Sequence, residues 1–183
     1  MLDLVKDQAQ EPDKTFLEPA CGTGNFLVAI LKRKLDTIAQ KHKKIQFDYE
    51  RNATLAVSSL YGIELLADNV KECQERLLKV FSEHYQSHYP NSYKAECLRS
   101  AQIILNKNIL CGDALSLKTQ EGKEIVFTEW KMVGNQFKRR DYVYRSLLSN
   151  EHSTISTEGN KSFICEPIKN NYPLVHFLEL GND

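Results

Sequence analysis

Phe16-Leu17-Glu18-Pro19-Ala20-Cys21-Gly22-Thr23-Gly24-Asn25-Phe26-Leu27 reads as a short strand, a glycine turn and the start of an amphipathic helix, with an acid where the strand ends. Small residues from Ala20 to Gly24 let the backbone pass close to a ligand and take dihedrals that a side chain forbids. The helix that follows points its free N–H groups at a ligand's anionic end. A dinucleotide site would show Gly-x-Gly-x-x-Gly, whereas Leu27 stands at the third glycine position and the acid precedes the turn. The stretch therefore suits a different nucleoside cofactor.

Outward from this turn the chain alternates strand and helix. A helix is expected from about Gly24 to Lys41, with Phe26, Leu27, Ile30, Leu31 and Leu35 at helical spacing. The run Leu60-Tyr61-Gly62-Ile63 is a second apolar strand ending in Glu64, and Ile109-Leu110-Cys111-Gly112 is a third, followed by Asp113. Helices over about Ala67 to Tyr85 and Tyr93 to Leu105 separate them. Glu64 lies well beyond the roughly 20 residues expected between acids of a tight βαβ unit, so the polar stretch from Lys41 to Asn52 marks an insertion. Between Gln120 and Leu148 the pattern reads as a strand, Ile125 to Trp130, and then a helix. Residues 150 to 171, rich in Ser, Thr, Asn and Glu, read as a mobile loop, and Pro173 to Leu180 as a last strand or a docking segment. Strands alternating with helices imply an α/β fold with a doubly wound, mostly parallel sheet. The expected division is a main domain over 1–149 and a loop with terminal segment over 150–183.

Leu-Glu-Pro-Ala-Cys-Gly-Thr-Gly-Asn-Phe-Leu, residues 17 to 27, resembles motif I of the S-adenosylmethionine-dependent DNA methyltransferases of restriction–modification systems that modify adenine N6. Tyr61-Gly62-Ile63-Glu64-Leu65 resembles motif II, and Asn108-Ile109-Leu110-Cys111-Gly112-Asp113-Ala114 resembles motif III. Three motifs in order frame residues 16 to 114, and Met1 to Ala9 would end the helix that precedes motif I. The resemblance implies a Rossmann-like methyltransferase fold that is incomplete here. It implies a cofactor site made of Glu18, Pro19, Ala20, Cys21, Gly22, Thr23, Gly24, Asn25 and Phe26, with Glu64, Leu65, Asp113 and Ala114. Glu18 would face the methionine end of S-adenosylmethionine, Glu64 both ribose hydroxyls, and Asp113 the adenine amine. The residues by themselves place only three acids at strand ends, where open α/β sheets bind ligands.

The same family uses a fourth motif, Asp or Asn followed by Pro-Pro and an aromatic, to grip the amine of a flipped base. The five prolines stand at 12, 19, 90, 167 and 173, and no two are adjacent. Glu129 with Trp130 is a weak substitute, since a lone Trp in an apolar strand belongs first to a core. The expectation is a cofactor-binding subunit or fragment that acts on DNA within a complex and receives its catalytic loop from elsewhere, either from a second polypeptide that also brings target recognition or from sequence lost by truncation. A degenerate, non-catalytic module that regulates or scaffolds a partner is the alternative. Methylation of a protein, RNA or small molecule fits the Pro-Ala-Cys-Gly-Thr-Gly form less well.

Composition agrees with one core-forming unit. The 183 residues are 42% hydrophobic, and no stretch is long and apolar enough to suggest a membrane span. No basic start followed by an apolar block opens the chain, and five cysteines without Cys-x-x-Cys pairing fit reduced thiols in a cytoplasm. Cys21 is expected to pack as a small apolar residue, and the five His show no metal-ligand spacing. Net charge is zero, from 24 basic and 24 acidic residues, so the chain lacks the basic footprint of a protein that grips DNA alone. Local clusters, Lys32-Arg33-Lys34, Lys41 to Lys44 and Lys138-Arg139-Arg140, read mostly as solvated faces, the last with the strongest claim to a phosphate contact.

Overall fold

The computed structural model describes residues 7–148, 153–155, 161–163 and 165–181. Strand β1 (Phe16–Glu18) leads through the glycine turn into α1 (Asn25–His42), then α2 (Gln46–Ser58) and β2 (Leu60–Glu64). Helices α3 (Ala67–His88) and α4 (Ala95–Asn108) carry the chain to β3 (Ile109–Cys111). The three strands lie in the order β1-β2-β3, all parallel, with Leu17 opposite Tyr61 and Glu64 opposite Cys111. Parallel neighbours need long crossovers, and each helix pair supplies one.

The insertion expected between Lys41 and Asn52 is the beginning of α2. Its polar first turns hide a buried stripe, Tyr49, Ala53, Ala56 and Val57. Glu50 is fully buried on the same helix, where the Tyr85 hydroxyl, the Gln46 amide at 2.7 Å and the Lys94 ammonium at 2.8 Å satisfy its carboxylate. A buried charge survives only with such partners. Leu27, Ile30, Leu31 and Leu35 of α1 join Leu77 and Phe81 of α3 and Ala101 and Ile104 of α4 in the main core, against Phe16, Leu60 and Ile109 of the sheet.

The segment expected as a strand and a helix is instead a hairpin, β4 (Val126–Val133) and β5 (Gln136–Val143), followed by the short helix α5 (Tyr144–Leu148). Gly134, at φ +60°, and Asn135 form a two-residue turn between Val133 and Gln136, a turn that matches strand twist. Lys138-Arg139-Arg140 therefore lies in a strand, with Arg139 stacked 3.6 Å over the Tyr172 ring. Trp130 is a core residue: its indole N–H donates to Asn108 Oδ1 at 2.9 Å, and the Asn108 amide donates to Ser58 O and Leu60 O. Strand β8 (Val175–His176) pairs with β5, and the buried Phe177 meets the Phe47 ring at 5.3 Å, so this apolar end is a last strand. Strands β6 (Ser153–Ile155) and β7 (Lys161–Phe163) pair antiparallel. The expected loop over 150–171 falls partly outside the described residues, as does most of the helix expected over 1–9. Gln8–Gln10 forms a 3-10 turn that buries Ala9.

Helices on both faces of the sheet were the expectation of a doubly wound fold. The parallel sheet and the helical layer on one face are present. On the other face, among the described residues, Ile63 packs on Ile125, Phe127 and Tyr144, so the hairpin's start and α5 take the place of crossover helices. Leu17 on the same face stays 38% exposed. No helix among the described residues is long and apolar enough to cross a membrane.

Lys34 leaves the solvated cluster in which its neighbours place it. It is fully buried, and its ammonium donates to Pro12 O at 3.0 Å, Lys14 O at 2.6 Å and Ser59 Oγ at 2.6 Å, closing the start of β1 onto α1. The Lys34→Met variant strands those acceptors and should lose about 1–3 kcal/mol of stability, read as a lower midpoint in urea unfolding. An unchanged midpoint contradicts this role.

Candidate cofactor site

The turn after β1 is built by backbone bonds. Cys21 N–H donates to Ile63 O at 2.9 Å, and Gly24 N–H donates to Cys21 O at 2.8 Å. Gly22 and Gly24 sit at φ +52° and +85°, a left-handed region that a side chain strains. A Cβ on Gly24 would lie 2.5 Å from Cys73 Sγ, and one on Gly62 2.8 Å from Cys21 Sγ. Gly24 is the N-cap of α1, with no side-chain cap. The first-turn N–H groups of Asn25, Phe26 and Leu27 therefore have no intrahelical acceptor, as at any helix start, where an anionic group is favoured.

Glu64, at the end of β2, closes this turn. Its Oε2 accepts from Gly22 N–H at 3.0 Å, and its Oε1 accepts from Leu66 N–H at 3.0 Å and from the Asn69 amide at 3.2 Å. Desolvation pushes its pKa up, but the donors from Leu66, Asn69 and Gly22 outweigh it and hold the carboxyl below its ordinary value. Glu18 ends β1 half-buried, in register with Gly62. Pro19 and Ala20 are exposed beyond it, and Thr23 is half-buried.

The third acid is differently placed. Asp113 Oδ1 accepts from Leu115 N–H at 2.9 Å, and its backbone pairs with Lys118, so the carboxylate braces the 113–118 turn. The bonds from Leu115 N–H and from Ser116 hold its pKa below the usual range. Gly112 permits this turn, since a Cβ there would meet Ile125 Cδ1 at 2.8 Å and Lys118 O at 2.9 Å. Two members of the expected site point into packing instead. Phe26 meets Phe16 edge-on at 6.5 Å, and Ala114 packs on the Ile63–Phe127 cluster. Leu65 is exposed beside Leu66, and Leu115 is 95% exposed, so three apolar side chains stand around the ends of β2 and β3.

One helical stripe was not legible as part of the site. Asn69, Cys73 and Arg76 of α3, at i, i+4 and i+7, all reach the turn or its acid. Asn69 orients Glu64, Cys73 fills the space under Gly24, and Arg76 bonds Thr23 and Asn25. Cys21 is buried beside Cys73, and the hydrogen bond between the thiols, with burial, pushes the Cys21 thiol up. Its burial in the main apolar cluster makes it a packing residue.

A groove of about 830 Å³ lies away from these acids. It runs along the second face of the sheet, between Leu17 and Tyr61 and the hairpin's Phe127, Glu129 and Tyr142. Glu129 there pairs with Arg140 at 3.4 Å while Trp130 is buried, so the two do not form an acceptor beside a stacking ring.

A family model, described as the DNA-methyltransferase domain of MmeI, matches residues 4–162. The chain belongs to that family. The match spans all three acid-bearing strand ends and the hairpin, and it supports a restriction–modification DNA methyltransferase. No curated protein and no solved structure matches it.

In this MmeI-type domain Gly24→Ala should cost about 1–3 kcal/mol, from φ strain together with the Cys73 contact. Adding Cys73→Ala should return part of that loss, measured as a coupling between the two substitutions in chemical unfolding. Full additivity would contradict the close approach. Glu64 gives a pH signature as well. Its lowered pKa contributes stability above the unfolded value of 4.5, and that is lost as pH falls through the folded value. The stability difference between wild type and Glu64→Gln should shrink on acidification below 4.5, and a pH-independent difference would remove the charge from the argument.

Proposed function

We propose that this chain binds S-adenosylmethionine at the carboxyl ends of β1, β2 and β3 and serves methylation of adenine N6 in DNA, with the catalytic loop supplied by another polypeptide segment. The observation that carries this reading is the coincidence at one sheet end of the glycine turn, the uncapped start of α1 and the Glu64 carboxylate. Glycine at 22 and 24 lets the turn adopt positive φ and pack against Cys73, and the uncapped start of α1 beside it is the feature that suits an anionic ligand group. Bound there, S-adenosylmethionine supplies an electrophilic methyl group.

This chain's residues then hold and orient. The α1 N–H groups face the methionine carboxylate, Glu18 the ammonium, and Asp113 the adenine amine. A carboxylate has about four acceptor positions, and Gly22, Leu66 and Asn69 already use three at Glu64. One ribose hydroxyl could join directly, and a second would need the Asn69 amide or Gly22 N–H to yield. Adenine specificity rests on the likeness of the Pro-Ala-Cys-Gly-Thr-Gly turn to amino-methylating DNA enzymes.

The need for a second segment is supported by the lack of adjacent prolines and by the sheet's open edge. β1 pairs with β2 alone among the described strands, and its register turns the Leu17 N–H and C=O away from β2. An extended segment of the partner adds there by main-chain bonds, next to the groove at Tyr61 and Tyr142. A scaffold that keeps cofactor affinity without catalysis would share the site but show no methyl transfer with any partner.

Calorimetric titration should show S-adenosylmethionine binding, weakened about ten- to a hundredfold in Glu64→Gln, since bonds to a charged group contribute about 1.5–3 kcal/mol. An unchanged dissociation constant rejects Glu64. Tritiated methyl transfer to mixed-sequence DNA should be absent with the chain alone and appear with a protein carrying Asn-Pro-Pro-Tyr from the same operon. Incorporation by the isolated chain overturns the split reading, and none with the partner favours the scaffold.

A further inference from the structure

Arg76 reaches from α3 across to the glycine turn. Its Nη1 donates to Thr23 O at 2.6 Å and to Thr23 Oγ1 at 2.8 Å, and its Nη2 donates to Asn25 Oδ1 at 2.9 Å. These partners flank Gly24. The peptide joining Thr23 to Gly24 is thereby held at both ends, its C=O by Arg76 and its N–H by Cys21 O at 2.8 Å. A guanidinium presents its donors in one rigid plane, so the fork fixes the orientation of the peptide as well as its position. The orientation of this peptide sets the direction in which the first N–H groups of α1 emerge, because Gly24 is that helix's N-cap.

We propose that Arg76 is a positioning residue that sets the grip of the turn on the amino-acid end of the cofactor. The inference rests on the S-adenosylmethionine reading above and adds a division of labour to it. Glu64 and Asp113, on β2 and β3, face the nucleoside half. The Thr23–Asn25 segment faces the aminocarboxyl half, and Arg76 is the side chain that pins it from outside. Glu64 pins the same turn only at Gly22, on the other side of Thr23.

The test compares two ligands in calorimetric titrations of the wild-type, Arg76→Met and Arg76→Lys proteins: S-adenosylmethionine, and 5′-methylthioadenosine, which lacks the aminocarboxyl portion. Arg76→Met should weaken S-adenosylmethionine about tenfold and leave methylthioadenosine within about twofold. Arg76→Lys, which keeps the charge but not the fork, should recover only part of the loss. A second measurement needs no ligand: amide exchange at Thr23, Gly24 and Asn25 should quicken about tenfold in Arg76→Met while the core amides of α3 keep their protection. Equal weakening of both ligands, or unchanged exchange in the turn, overturns the Arg76 assignment and leaves the proposed function standing. A wild-type protein that binds neither ligand overturns both.

Discussion

The Glu64 carboxylate is where the separate parts of the site become one structure. It ends β2, accepts from the turn that follows β1 through Gly22 N–H, and accepts from the start of α3 through Leu66 N–H and Asn69. A strand, a loop and a helix are thus referred to one anion. Three donors on a partly exposed carboxylate stabilise its charged form and hold it in one orientation. The turn is therefore held in one shape by the protein's own bonds, an arrangement that would lower the ordering cost of the proposed binding.

That arrangement depends on how tightly α3 lies against the turn. Gly24 and Gly62 have no room for a Cβ because the Cys73 and Cys21 thiols occupy it. The helical layer behind them is densely buried, and its one internal carboxylate, Glu50, is fully partnered, so α2, α3 and α4 are held together by bonds as well as by apolar contact. The other side of the sheet is different in kind. It is covered in part by a hairpin and leaves Leu17 and a groove beside β1, which has β2 as its single neighbour among the described strands. One face of the sheet is thus packed by helices, and the other is covered only in part among the described residues.

Glu18 and Glu64 were legible as strand ends because each closes a short, largely apolar run, Phe16-Leu17 before Glu18 and Leu60 to Ile63 before Glu64. Asp113 was legible in position but not in its local task, since its bond to Leu115 N–H follows from a turn that only Gly112 and the hairpin's Ile125 explain. Helix α2 was hidden by polar residues whose partners are remote, Tyr85 and Lys94 for Glu50. The hairpin was hidden by Lys138, Arg139 and Arg140, which read as a solvated face; Arg139 is instead covered by Tyr172 from the end of the chain, while Gly134-Asn135 was the turn signal available. Cys73 is legible as part of the apolar face of α3 but not as the filler beneath Gly24, and nothing local marks Asn69 and Arg76 as the polar residues that reach the turn and its acid. Lys34 illustrates the same limit, as its three acceptors come from two other segments.

The most direct test is a two-dimensional amide spectrum of the isotopically labelled protein during titration with S-adenosylmethionine. The account predicts that the largest shifts fall on Gly22 to Leu27, on Glu64 to Leu66 and on Asp113 to Leu115, three segments that only the sheet's carboxyl end brings together. Shifts confined to the groove residues Tyr61, Phe127 and Tyr142 would contradict it, and so would a spectrum that does not change.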